Sequence, residues 1–137
     1  MEREIKKTNN IETFLKKYKK FMLSRSLHQH LNLLLSQTGI SIADVVRGSM
    51  LDRTYVYQIF SGRKKPSRDK LIAIAFGLRL SDEETQKMLK LSGNRPLYVR
   101  DERDAVIFFA LQQKKTINEV NEILFKHGFE LLGSPSA

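Results

Sequence analysis

The side chains best suited to chemistry in this chain lie between Ser41 and Arg68. Arg53, Thr54, Tyr57, Gln58 and Ser61 are spaced so that they share the outer part of one short helix, and Arg63, Lys64, Lys65 and Arg68 follow at once. Arginine and glutamine each offer paired hydrogen-bonding groups, suited to the edges of guanine and adenine, and a DNA major groove admits a single helix. Cations just beyond such a helix can meet phosphates and hold it in register without reading sequence. The chemistry on offer is therefore non-covalent recognition of a polyanion. Catalysis is not expected, because there is no nucleophile motif and no glycine-rich phosphate loop, and Asp82-Glu83-Glu84 suits the acidic first turn of a helix. The chain has no cysteine, and His28 and His30 fall on different faces of one helix, far from His127, so no metal site is expected. No cofactor is expected either, and no small-molecule ligand is predicted, since no pocket can be argued from helices alone.

Two short helices must position this set. Ser41 with Asp44 forms a capping box that starts a helix at Ile42 with Val45 and Val46 inward, and Gly48 and Ser49 weaken it soon after. Asp52 caps the next helix. Its Val56, Ile59 and Phe60 fall at i, i+3 and i+4 and define a buried face, which leaves Thr54, Tyr57, Gln58 and Ser61 outside and Arg53 at the exposed N-terminal end. Gly62 stops this helix, and Pro66 and Ser67 close the basic turn and cap a third.

With Ile59-Phe60-Ser61-Gly62 and Lys65-Pro66-Ser67 in place, the stretch resembles the helix-turn-helix of the lambda-repressor/Cro (XRE-type) family of transcriptional regulators. The resemblance covers residues 27–93. It implies a five-helix DNA-binding domain whose recognition helix, about residues 52–61, enters the major groove of double-stranded DNA. It implies base contacts from Arg53, Thr54, Tyr57 and Gln58, and phosphate contacts from Ser41, Ser61, Arg63, Lys64, Lys65 and Arg68. Two positions depart from the family pattern: Ile42 stands where the family usually has glutamine, and Met50 where the turn usually has glycine, so this turn must accept a Cβ.

The rest of the chain reads as helix throughout, an all-α fold. Residues 1–26 form a basic amphipathic N-terminal helix or arm, with Ile11, Phe14, Leu15, Tyr18, Phe21 and Met22 at helical spacing among lysines. Leu27 to about Gln37, with Leu27, Leu31, Leu34 and Leu35 as its inner stripe, ends at Thr38-Gly39. A helix from Ser67 to Arg79 is apolar on more than one side, and Ser81 with Glu84 boxes the next, which closes at Gly93. After Asn94-Arg95-Pro96, residues 97–132 form a helical hairpin whose second helix opens on Thr116 with Glu119, followed by a tail over 133–137. This hairpin has too much apolar surface to bury alone. It is expected to pack on the five-helix body or the N-terminal helix, with Phe108 and Phe109 in the core, or to pair with a second copy.

Charge is uneven. Residues 1–26 hold 8 Lys and Arg against 3 acids, residues 27–96 hold 11 against 6, and residues 97–137 hold 5 against 6. The basic excess of the first two segments fits a polyanion partner and the near-neutral third fits a dimer seam. A cytoplasmic, homodimeric, sequence-specific DNA-binding regulator is thus expected, with no membrane span. The alternative is a helix-turn-helix-fold protein–protein interaction module, meeting its partner through Tyr55 and Tyr57, with weak or no DNA binding.

Overall fold

From Leu27 on, each described helix begins on a side-chain oxygen that satisfies backbone N–H groups the helix itself leaves open. In the computed structural model, which describes residues 11–13 and 26–133, these starts are Ser26, Ser41, Asp52, Ser67, Ser81, Asp101 and Thr116. They open α1 (Leu27–Thr38), α2 (Ile42–Ser49), α3 (Arg53–Phe60), α4 (Arg68–Gly77), α5 (Asp82–Leu91), α6 (Glu102–Gln112) and α7 (Ile117–Lys126). The caps at Ser26, Ser41, Ser81 and Thr116 are full capping boxes. Among the described residues there is no strand, and no helix is long and apolar enough to cross a membrane. Residues 11–13 are helical, but the expected N-terminal helix otherwise lies outside the described residues, as do positions 134–137 of the tail.

The core is organised around α4. Every residue from Leu71 to Gly77 is buried, so this helix is apolar all round and enclosed by its neighbours. Its closest neighbour is α2, and two glycines decide how close. A Cβ built on Gly48 would lie 2.9 Å from the Cα of Gly77, and one on Gly77 would lie 2.8 Å from the Val45 carbonyl oxygen. Gly48, which locally weakens a helix, is here the residue that lets two backbones touch.

The hairpin of α6 and α7 packs on this body. Ile107, Ala110 and Leu111 of α6 and Ile117, Val120 and Leu124 of α7 join the same core as Leu31, Val56 and Met88. Phe108 packs at the edge of that core. Phe109 does not follow the expectation of core packing and is 50% exposed, because it sits opposite the Ile107 face of α6.

Polar clasps fix the hairpin. Arg68 and Asp69 at the start of α4 meet Asp104 and Arg103 on α6 in two crossed ion pairs, at 2.8 Å and 2.9 Å. The Gln86 amide pairs with both backbone groups of Leu97, and the Asn121 amide does the same for Leu132. Gly133 then lies against the α2–α3 turn, where a Cβ would come within 2.6 Å of the Ser49 carbonyl oxygen.

Candidate nucleic-acid interface

The α2–α3 turn is built from a left-handed residue and a capping aspartate. Met50 takes φ 59°, which glycine adopts more easily, and its side chain is 51% exposed. The turn therefore does accept the Cβ that the sequence demands of it. Ser49, buried beneath, receives the Leu51 N–H on its hydroxyl at 3.3 Å. Asp52 then accepts from the Tyr55 N–H at 3.2 Å and starts α3.

Val56, Ile59 and Phe60 anchor α3 in the core, so its other face looks outward. Arg53, Thr54, Tyr57 and Ser61 are exposed and Gln58 is half-buried, which gathers the expected base-contacting residues on one short surface. Tyr57 is 44% exposed, a large aromatic surface at the middle of this face. Tyr55 is different. It packs against the core, burial pushes its hydroxyl pKa up, and the Lys70 ammonium stands 5.2 Å from its ring centre. Of the two tyrosines considered for a partner surface, only Tyr57 is freely presented.

The C-terminal end of α3 is held from α1. Asn32 donates to the Phe60 carbonyl at 2.8 Å and to the His28 carbonyl at 2.7 Å. The His28 ring lies so near Gly62, at φ 84°, that a Cβ there would meet it at 2.7 Å. This packing folds the basic turn back, with the Arg63 and Lys64 N–H groups both donating to the Gln58 carbonyl at 2.9 and 3.2 Å. Nothing local marks Asn32 or His28 for this role, since each is 28 or more residues from its partner in sequence.

Arg63, Lys64 and Lys65 are exposed, and their side chains make no hydrogen bond or ion pair among the described residues; the same holds for Arg53. Four uncompensated cations thus flank α3, one at its start and three past its end. Uncompensated exposed cations are what phosphate binding requires, because a paired one would first have to give up its partner.

Two expected phosphate contacts are placed otherwise. Arg68 is 17% exposed and its guanidinium is committed to Asp104, to the Arg95 carbonyl at 2.8 Å and to the Pro96 carbonyl at 3.0 Å. It is a structural tie between α4 and α6, which no reading of the basic cluster alone reveals. Ser41 is exposed, but its hydroxyl donates to the Asp44 carboxylate at 2.9 Å and accepts the Asp44 N–H at 3.1 Å. The Ser41 hydroxyl, then its N–H, then Arg47 hold the Asp44 carboxyl below the usual range, so an anion already occupies the start of α2. No group of three or more His, Cys, Asp or Glu side chains that could hold a metal occurs among the described residues.

Compared with protein-family models, with curated proteins and with solved structures, this chain shows no match in any of the three.

Proposed function

We propose that this chain is a sequence-specific DNA-binding transcriptional regulator of the lambda-repressor-like, XRE-type kind, with α3 in the major groove of double-stranded DNA. One observation carries the reading. The exposed face of α3 presents Arg53, Thr54, Tyr57 and Gln58 together, and it is flanked by Arg53, Arg63, Lys64 and Lys65, none of which is neutralised within the fold. Groups that can read bases and groups that can hold phosphates are therefore adjacent, on a helix whose far end is pinned by Asn32. In this reading α1 to α5 form the DNA-binding unit, and two copies bind a two-fold site with half-sites about one helical turn apart.

A protein–protein module with weak or no DNA binding is the second reading. It is favoured by the apolar exposure of Met50 on the turn and of Tyr57 on α3, and by the Asp44 carboxylate at the start of α2.

Selection of bound duplexes from a random pool tests both. Wild type should enrich a two-fold motif, and the Arg53→Ala, Gln58→Ala double variant should lose it, at a cost of about 1–3 kcal/mol for each bidentate contact. Lys64→Ala and Lys65→Ala should weaken binding to every sequence and each flatten the salt dependence by about one ion. Absence of DNA binding at low salt would leave the protein-interaction reading.

A further inference from the structure

A cleft of about 950 Å³ opens on the molecule between the end of α1, α2, the end of α4 and the α6–α7 connection. That is ample for a small molecule. Its wall carries four cations, Arg47, Arg79, Lys114 and Lys115, against one carboxylate, Asp44. Arg47 pairs with Asp44, and Lys115 lies within electrostatic reach of Glu119. Arg79 and Lys114 remain, both exposed and with no side-chain hydrogen bond or ion pair among the described residues.

These two residues also have unusual backbones. Arg79 has φ 57° and Lys114 has φ 56°; with Met50 they are the only non-glycine residues at positive φ among those described. Each stands one residue past a helix C-cap, Leu78 and Gln113, and Gly39, itself the C-cap of α1 and lining the same cleft, has φ 73°. Glycine or asparagine would sit there with less strain. A cation does favour a helix C-terminus, but it could do so from any position in the last turn. Two strained cations that meet at one cavity call for a common cause.

We propose that the cleft binds a small organic dianion, a phosphate monoester that carries a planar ring. The phosphate sits between Arg79 and Lys114, and the ring rests toward Ile40 and Phe76, which line the same space. A phosphate monoester carries about −1.5 to −2 charge at neutral pH and matches these two uncompensated cations. Because α2 contributes Asp44, Arg47 and Gly48, an occupant would touch the first helix of the helix-turn-helix without meeting α3. The inference does not depend on DNA binding.

The test uses adenosine monophosphate as the probe, titrated into the full chain by calorimetry and by amide NMR, with adenosine as the uncharged control. The Arg79→Gly, Lys114→Gly double variant removes both charges while relieving both backbones, so its Tm should not fall and lost affinity cannot be ascribed to unfolding. The expected result is saturable 1:1 binding, shifts centred on residues 79 and 114, at least tenfold weaker binding in the double variant, and no binding of adenosine. Equal affinity in the variant, or shifts centred on Arg53 and residues 63–65, would overturn the proposal. So would the absence of monophosphate binding coupled with weaker duplex binding by the variant, which would assign these cations to a DNA backbone.

Discussion

Asp104→Ala is the most informative single substitution for the architecture. The carboxylate is 3% exposed and accepts from Arg68 Nη2 at 2.8 Å, Arg68 Nη1 at 3.2 Å and the Tyr98 N–H at 3.0 Å. Truncation leaves a guanidinium that keeps the Arg95 and Pro96 carbonyls but has no counter-charge. Removing one member of a buried ion pair costs about 3–5 kcal/mol, chiefly because the other charge is stranded. Arg68 retains 17% exposure, which admits some water, so the lower end applies: about 3 kcal/mol, or roughly 10 °C in Tm for a chain of this size. The assay is urea denaturation of Asp104→Ala, Arg68→Ala and the double variant. The double variant should cost less than the sum of the singles by about 2 kcal/mol. The outer pair, Arg103 with Asp69 at 18% and 35% exposure, should yield only about 1 kcal/mol on Asp69→Ala. An Asp104→Ala cost below about 1 kcal/mol, or strict additivity in the cycle, would refute the clasp as a coupled tie between α4 and α6. The same series separates structure from binding: Arg68→Ala should lower Tm while leaving the salt dependence of any DNA binding unchanged, the reverse of Lys64→Ala.

Other outcomes follow from the same geometry. Gly77→Ala places a Cβ 2.8 Å from the Val45 carbonyl oxygen and must push α2 off α4, costing about 2 kcal/mol or more, and an unchanged thermal melt would contradict the close crossing. Met50→Gly relieves φ 59° on an exposed residue and should raise stability by about 0.5–1 kcal/mol in chemical denaturation; a loss would mean the side chain packs in a way its exposure does not suggest. Asp44 and Glu119 have carboxyl pKa values depressed by capping, from the Ser41 hydroxyl and N–H and from the Thr116 N–H and hydroxyl respectively. A depressed folded pKa contributes stability that is present above the unfolded value and lost as pH falls through the folded one. Carboxyl NMR titrations should therefore show both midpoints below 3.8 and 4.5, and Ser41→Ala should raise that of Asp44 alone. An Asp44 midpoint indifferent to Ser41→Ala would remove the capping explanation.

Much of the molecule was legible residue by residue because its signals are local. The caps at Ser41, Asp52, Ser67, Ser81 and Thr116 act across three residues, and the stops at Gly39, Gly62 and Gly93 all take positive φ. The apolar face of α3 follows from helical periodicity alone, and with it the outward set of Arg53, Thr54 and Tyr57. Only the tertiary structure decided which cations stay available. Arg68 is indistinguishable in sequence from Arg63, yet a carboxylate 36 residues away takes it out of the basic cluster. It likewise decided that Gly48 is a crossing point, that Asn32 closes the end of α3, that Phe109 faces out, and that Arg79 and Lys114 share a cleft. Caps and periodic faces are set within a turn or two of one helix, whereas the partner of a charge or the neighbour of a glycine is set by how helices distant in the chain pack together.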